Sequence, residues 1–180
     1  ASLVVRQTGS AFKPFVYVTA LQHDMTPDTT LDDQPVTYGS WSPKNAGGSY
    51  SGTMPLSDAL AHSVNTIAVQ LADKVGTKNI IANAKKMGIT TLDAKDDNLA
   101  MALGGLTKGV TPLEMASAYG TFANKGVHVK PPAIVKILDR DGNVLEDAST
   151  LEKEETKTRV MSEREAYEMT TMLEGVIDHG

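Results

Sequence analysis

Residues 6–15 read RQTGSAFKPF and place Ser10 three positions before Lys13. Serine is a favoured N-cap residue, so we expect Ser10 to begin a helix that runs to about His23. Pro14 agrees with this start, because the first amides of a helix have no internal partner and a proline there removes no hydrogen bond. The stretch therefore predicts a helix that carries Ser10 and Lys13 on one face, one turn apart.

The composition is that of a globular domain. The 180 residues suffice for one domain with its own core. The 17 basic residues are scattered, the net charge is −5, and a nucleic-acid partner is therefore not expected. The absence of cysteine excludes disulfides and thiol nucleophiles. The four histidines lack metal-ligand spacing, and we expect no cofactor. No apolar run approaches the roughly 18 residues that span a bilayer.

Local signals predict several helices joined by one long loop. The segment from Asp24 to Thr53 is rich in Pro, Gly, Ser, Thr and Asp, which is typical of a structured loop. Thr111 and Ser162 each precede a glutamate at capping-box spacing and predict helix starts. Together the patterns predict further helices at about 55–62, 65–75, 78–87, 112–123 and 163–178.

One β element is predicted near the carboxyl-terminal third. β-branched residues flank Asp141-Gly142, a dipeptide suited to a tight turn, so we expect a hairpin over about 133–146. Residues 147–159 are polar and read as an exposed connection. The helix that follows is expected to bury Ala166, Thr170, Leu173 and Ile177. The pattern predicts no central sheet.

Ser10 and Lys13 are the parts of a nucleophile and its base. A serine hydroxyl attacks only when a base takes its proton. A lysine can serve if burial or a neighbouring cation lowers its pKa from about 10.4 to roughly 7–8. The amide of a serine at a helix start could also stabilise a developing oxyanion. Taken alone, however, the spacing is better explained by a helix cap at Ser10 beside a solvated Lys13.

A second pattern changes that balance. Ser10 is the only serine followed by lysine at the third position, and Ser63 is the only one followed by asparagine at the second. A hydroxyl at Ser63 could relay a proton, and the amide of Asn65 could both donate to and accept from a peptide. The alternative is that either residue caps the next helix.

The chain resembles the penicillin-binding proteins, most closely the transpeptidase domain of the bifunctional members that build bacterial peptidoglycan. Ser-x-x-Lys and Ser-x-Asn are motifs of this superfamily. Blocks in family order occupy 6–21, 41–76, 101–126 and 161–180. The resemblance implies that residues 1–180 are an α-rich α+β fragment, namely the helical part of the transpeptidase and serine β-lactamase-like fold plus a β-hairpin, with the central sheet largely absent.

The resemblance also implies roles for the site residues. Ser10 would attack the D-alanyl-D-alanine bond of a peptidoglycan stem peptide, Lys13 would deprotonate it, and Ser63 would relay the proton to the leaving amine. Asn65 would bind the substrate peptide, and Trp41 could form a wall of the substrate cleft, although core packing would explain it equally. β-Lactam antibiotics would acylate Ser10. The implied location is the extracytoplasmic face of the bacterial cell membrane.

Two departures qualify the resemblance. Thr8 stands where the family usually has proline, and no Lys-Thr-Gly occurs, since Lys157-Thr158-Arg159 lacks the glycine. In the family that triplet supplies a second oxyanion amide, a contribution typically worth about 10²–10³ in rate, and a cation near Lys13. We therefore expect residues 1–180 alone to be weakly active or inactive. The remainder of the domain, on the same chain or on a separate one, is an expected partner.

Three related functions stay open at this point. A serine β-lactamase of one group needs a glutamate downstream of Ser-x-Asn, and the sequence has none between Asn65 and Glu114. A DD-carboxypeptidase would share the motifs and pass the acyl group to water. A penicillin-sensor domain would be acylated once and then signal.

Overall fold

The computed structural model describes residues 4–130, 136–138, 140–142, 144–147 and 156–179. Six α-helices are the main regular elements of this part of the chain: α1 (Lys13–Leu21), α2 (Leu56–Ala61), α3 (Asn65–Val75), α4 (Thr77–Lys86), α5 (Pro112–Ala123) and α6 (Glu163–His179). Three 3₁₀ turns complete the helical structure, at Gly9–Phe12, Ala94–Asp96 and Leu99–Leu103.

The strands in the described ranges form three separate two-stranded antiparallel sheets. They are β1 (Thr30–Asp33) with β2 (Gly52–Pro55), β3 (Val127–Val129) with β6 (Lys157–Arg159), and β4 (Lys136–Leu138) with β5 (Val144–Asp147). The last pair is the predicted hairpin. The expectation of a helix-rich fold without a central sheet is thus confirmed for the residues that the structure describes.

Helix α1 lies at the centre of the core. All nine of its residues are buried, and it packs against α2, α3, α4 and α6. A helix that is apolar on nearly all sides is stable only when it is covered all round. Lys13 stands at the first position of this helix with 1% of its surface exposed. The fold therefore carries a lysine into the core.

The start of the first helix differs from the prediction. Ser10 makes no cap, and it lies inside the 3₁₀ turn Gly9–Phe12, which leads directly into α1. Proline has no N–H, so Pro14 cannot donate to the carbonyl of Ser10 as an α-helix requires, and the amide of Lys13 donates to it instead. Residues three apart eclipse one another in a 3₁₀ turn. The prediction that Ser10 and Lys13 share a face is therefore compatible with the observed turn.

The long loop predicted between Asp24 and Thr53 contains a strand that the sequence analysis missed. Leu31 pairs with Met54 and Asp33 with Gly52, so β1 and β2 join the two ends of the segment. Its polar sequence, TLDD, gave no strand signal. The pairing closes the loop and brings its middle beside the start of α3.

The predicted exposed connection over 147–159 is also corrected at its end. Residues 148–155 lie outside the described ranges, but Lys157–Arg159 forms β6, which pairs with β3 through Val127 and Arg159. All three β6 residues are exposed. A short edge strand of polar residues carries no alternation that a sequence pattern could detect.

Several local predictions are confirmed. Helix α3 has its predicted bounds. The hydroxyls of Thr111 and Ser162 accept hydrogen bonds from the amides of Glu114 and Glu165, as capping boxes require. Ile177 was wrongly assigned to the core, because 85% of its surface is exposed. The buried residues of α6 are Ala166, Met169 and Met172.

Candidate active site

Lys13 is held by two residues of the turn between α2 and α3. Its Nζ donates to the carbonyl oxygen of Ser63 at 2.8 Å, to the Ser63 hydroxyl at 2.8 Å and to Oδ1 of Asn65 at 2.7 Å. The structure thus brings together three of the sequence-predicted residues, although 50 or more positions separate the lysine from the other two. Burial lowers the pKa of Lys13 from 10.5 to about 8.

These contacts suit a proton exchange between Lys13 and Ser63. An ammonium group has three N–H donors, and the three acceptors around Nζ satisfy all of them. A neutral amine has one donor fewer and a free lone pair, to which the Ser63 hydroxyl can donate. The pKa of about 8 lies close enough to neutral pH for both forms to be populated.

The backbone of Ser63 adopts a left-handed conformation that only a few non-glycine residues share. Its φ is +54°, and the amides of Ser63 and Val64 donate to the carbonyls of Leu60 and Ala59, which closes the end of α2. Such a conformation costs of order 1 kcal/mol and persists where the surrounding structure imposes it. Here it lets one residue present both its carbonyl and its hydroxyl to Lys13.

Ser10 borders the same cleft but does not hydrogen-bond to the lysine. A cleft of about 290 Å³ is lined by Ser10, by Ser63 and Asn65, and by residues of the 45–51 segment. Within the described structure, the hydroxyl of Ser10 makes no hydrogen bond to Lys13, whose donors all point to the α2–α3 turn. In unliganded enzymes such contacts often tighten only once substrate is bound. The arrangement leaves an exposed hydroxyl at the mouth of a preformed polar site.

The backbone before Ser10 is clamped by residues 104–110. The side-chain amide of Gln7 donates to the carbonyl of Leu106 at 2.7 Å and accepts from its amide at 3.0 Å. Gly104 approaches Gly9 so closely that a Cβ at Gly104 would lie 2.2 Å from the Gly9 carbonyl oxygen. This close approach of the two backbones fixes the residue next to Ser10.

Trp41 is not among the residues that line the described cleft. Its ring packs against the hydrophobic core, and its backbone pairs with that of Tyr38. The geometry thus favours the core-packing alternative over a substrate contact. Lys157 and Thr158 are not cleft residues either, and Thr158 lines a separate cavity with His128.

Two cleft residues escaped the sequence analysis. Asp33 ends β1 and Asn45 lies in the following loop, and both line the cleft and hydrogen-bond to the start of α3. Their sequence neighbourhoods are polar and aperiodic, so no pattern distinguishes them from loop residues.

Among the side chains that the structure describes, no group of three or more His, Cys, Asp or Glu could hold a metal ion. None of the described helices is long and apolar enough to cross a membrane.

Comparison with known proteins agrees with the geometry. The family model for the penicillin-binding protein transpeptidase domain matches residues 4–180. Penicillin-binding protein 1F of Bacillus subtilis (strain 168) is 41% identical over 178 residues, which are 98% of this chain and 24% of that protein. The chain spans a quarter or less of the length of the first curated relatives it matches.

Two solved structures share the fold. Penicillin-binding protein 1A from Haemophilus influenzae superposes with a TM-score of 0.81 at 28% identity, over 100% of this chain and 31% of that one. The PonA1 protein from Mycobacterium tuberculosis, in complex with penicillin V, gives 0.76 at 26% identity over 95% of this chain and 47% of that one. The expected fold class, the helical part of a penicillin-binding transpeptidase, is confirmed. The chain belongs to the penicillin-binding protein transpeptidase family.

Proposed function

We propose that this chain contributes the nucleophile, the base and the proton relay of a serine-type peptidoglycan DD-transpeptidase. The observation that carries the proposal is the buried Lys13, with its Nζ on Ser63 and Asn65 beside a cleft that Ser10 lines. Family membership makes a D-alanyl-D-alanine stem peptide the substrate class. Residues 1–180 are then part of one transpeptidase domain that ends beyond this chain.

Acylation follows from the proposed roles. The Ser10 oxygen bonds to the carbonyl carbon between the two D-alanines while Lys13 Nζ takes the serine proton. Ser63 then passes its hydroxyl proton to the nitrogen of the last D-alanine and regains a proton from Lys13, the C–N bond breaks, and an ester to Ser10 remains. The side-chain amide of Asn65 accepts a hydrogen bond from Lys13. It can hydrogen-bond the substrate peptide once this contact with Lys13 loosens.

The second half-reaction transfers the acyl group. An amine from another stem peptide attacks the ester, its proton returns through the same lysine and serine, and the Ser10 oxygen leaves. The product is a peptide cross-link. A β-lactam would follow the first half-reaction alone, because its ring-opened leaving group stays attached to the acyl group. Among the similar structures, that of PonA1 was solved in complex with penicillin V.

The position and hydrogen bonds of Glu114 argue against the β-lactamase alternative. It is the first glutamate after Asn65, and its carboxylate accepts hydrogen bonds from Thr90 and from the capping hydroxyl of Thr111. It is not among the residues that line the cleft in the described structure. The glutamate therefore serves the start of α5, and no glutamate of this stretch is placed to activate water against an ester on Ser10.

We propose further that the site is completed by the remainder of the domain, from the same chain or another. A Lys-Thr-Gly strand would add a second oxyanion donor and a cation near Lys13, which the described cleft lacks. The peptidoglycan substrate assigns the protein to the extracytoplasmic face of the bacterial cell membrane.

The test is acylation followed by intact-mass spectrometry in the full natural protein that carries these residues. We expect benzylpenicillin to add its own mass once, and Ser10→Ala to abolish the adduct. Ser117→Ala, which removes a hydroxyl on α5 that contacts His128, serves as the matched control and should be acylated normally. An adduct that persists in the Ser10→Ala protein would contradict the assignment.

A second measurement compares the acylation rate of residues 1–180 alone with that of the full protein. Residues 1–180 alone should be acylated at least 10²-fold more slowly than the full protein, because one oxyanion donor is typically worth that much. Equal acylation rates would refute the proposed incompleteness while leaving the role of Ser10 intact.

A further inference from the structure

A buried polar network stands behind the turn that holds Lys13. Asn45, in the loop after β1, accepts hydrogen bonds at Oδ1 from the amides of Asn65 and Thr66, at 3.0 and 3.3 Å. These amides belong to the first turn of α3, where backbone donors have no helical partner. The N-cap position itself is Val64, whose side chain makes no cap. Asn45 therefore caps α3 from a distant segment of the chain.

The nitrogen of the Asn45 side-chain amide also makes two hydrogen bonds. Its Nδ2 donates to Oδ1 of Asp33 at 2.7 Å and to the carbonyl of Ser49 at 3.0 Å. A primary amide has two N–H donors and one oxygen acceptor, and every one of these is used. The orientation of the Asn45 side chain is thereby fixed from both sides.

Asp33 anchors the network to β1. Only 3% of its surface is exposed, and its carboxylate accepts from the Thr66 hydroxyl at 2.6 Å, from Asn45 and from the amide of Ser51 at 2.9 Å. Burial raises the pKa of Asp33, but hydrogen bonds from Thr66, Asn45 and Ser51 outweigh this and leave the pKa below its ordinary value. The carboxylate stays charged and keeps drawing these donors together.

The network bears directly on the hydrogen bonds of Lys13. Asn45 and Asp33 set the place of Asn65 and Thr66, and the adjoining Ser63 must hold a left-handed backbone to reach the lysine. Asn65 also donates from Nδ2 to the carbonyl of Lys44, the residue before Asn45. A displacement of the loop would thus move both acceptor residues of Lys13 together.

We propose that Asn45 and Asp33 are positioning residues for the proton relay, which hold Ser63 and Asn65 against Lys13. The inference rests on the proposed function, since it assigns a second layer to that site. Outer residues that orient the groups of an active centre commonly change activity 10–100-fold when they are replaced.

The first test is Asn45→Ala in the full natural protein. The change leaves two helix amides without an acceptor and removes one of the donors to Asp33 Oδ1, so the turn should loosen. We expect the plateau rate of acylation by benzylpenicillin to fall 10–100-fold, with the half-saturating concentration changed much less. The lysine ammonium would lose acceptors, so the midpoint of the rate against pH should move to lower pH.

The pH midpoint must be assigned to Lys13. Asp33 and His62 are the other titratable side chains that line the cleft, and Lys44 adjoins it. Repeating the profile in His62→Gln and Lys44→Gln should leave the midpoint in place, because neither side chain bonds Lys13. If the pH midpoint shifts in His62→Gln or Lys44→Gln, the midpoint does not report the pKa of Lys13. That result would overturn this inference.

Exchanging the amide of Asn45 and the carboxylate of Asp33 tests the hydrogen bond between them. If the two residues act only through general stability, the double variant should not recover acylation activity. In Asn45→Asp two carboxylates face each other, and in Asp33→Asn two amides compete as donors, so each single variant should be slow. In the double variant, Asp at position 45 can accept from the α3 amides and from Asn at position 33. We expect the double variant to recover at least tenfold over the slower single variant.

The matched control is Asn83→Ala. Like the half-buried Asn45, the buried Asn83 has a side-chain amide that bridges two elements, with Nδ2 bonded to Thr19 and Gln22 at the far end of α1. It should lower the melting temperature about as much as Asn45→Ala without shifting the pH midpoint. Equal slowing in both variants with no shift would overturn the inference, as would an Asn45→Ala rate within twofold of the parent. Absence of any adduct at Ser10 in the parent would instead refute the proposed function.

Discussion

The two sides of the cleft differ in what the structure holds fixed. On the relay side, Lys13 donates hydrogen bonds to both Ser63 and Asn65, and the Asp33–Asn45 network supports these residues from behind. On the nucleophile side the backbone is clamped by Gln7 and Gly104, whereas the Ser10 side chain is exposed and makes no hydrogen bond to the lysine.

The difference shows which part of the chemistry this chain can prepare by itself. The relay needs only groups from α1, the α2–α3 turn and the loop after β1, and all of these are present and paired. The nucleophile needs a carbonyl to attack and a second oxyanion donor, which we assign to the substrate and to the remainder of the domain. A preorganised relay beside a free hydroxyl is the arrangement expected when substrate must complete the site.

The strongest way to break the relay side is Lys13→Met. Methionine keeps the length and apolar stem of the side chain but removes the base, so acylation should fall by about 10³-fold, within the usual range for a general base. Stopped-flow or mass-spectrometric acylation rates check this in the full protein, beside the melting temperature. Lys74→Met, on the exposed end of α3, is the control. A loss below tenfold would show that Lys13 is not the base.

The nucleophile side is tested by Gly104→Ala. The added methyl would overlap the Gly9 backbone at a residue whose φ is +78°, so we expect a loss of about 2–4 kcal/mol in unfolding free energy. The acylation rate should fall about tenfold, because Ser10 must move with Gly9. Gly120→Ala on α5 meets nothing within 4 Å and should instead add about 0.5–1 kcal/mol. An unchanged rate would show that this clamp does not position Ser10.

The last prediction changes no residue and concerns the response of acylation and stability to pH. Because only neutral Lys13 accepts a proton, acylation should rise up to about tenfold per pH unit below 8 and level off above it. The unfolded chain keeps this proton up to about pH 10.4, so the contribution of Lys13 to the unfolding free energy should rise with pH from 8 to that value. Acylation rates and chemical denaturation across pH 6–10.5 check both signs. A rate that is flat across pH 7–9 would contradict the shifted pKa.

The sequence predicted those parts of the fold whose causes are local. The bounds of α3 and the caps at Thr111 and Ser162 follow from residues within one turn of each helix end. The hairpin around Asp141-Gly142 follows from its turn residues in the same way. In each case the residues that signal the element are the residues that make it.

The parts that escaped prediction depend on residues far apart in the chain. β1 and β2 pair across about twenty residues of loop, and β3 pairs with β6 across a similar distance. Ser10 sits in a 3₁₀ turn because Pro14 cannot bond its carbonyl, which a capping rule for Ser10 alone does not include. Ile177 follows the helical period but lies on a face that no described element covers.

The candidate site divides in the same manner. Motif and resemblance predicted the residue types at positions 10, 13, 63 and 65, and the geometry unites three of them. Asp33 and Asn45 could not be predicted, because their hydrogen bonds to each other and to α3 form only when β1 and the following loop fold against that helix. Chemistry leaves a signature in short motifs, whereas the support behind it is distributed over the fold.

The three acceptors around Lys13 share one further property. A backbone carbonyl, a hydroxyl and a side-chain amide carry no net charge, so the lysine is tuned by exclusion of water and not by an ion pair. Dissolved salt weakens ion pairs by screening them but has little to screen here. The pKa that the protein environment gives this lysine should therefore stay nearly constant as ionic strength changes.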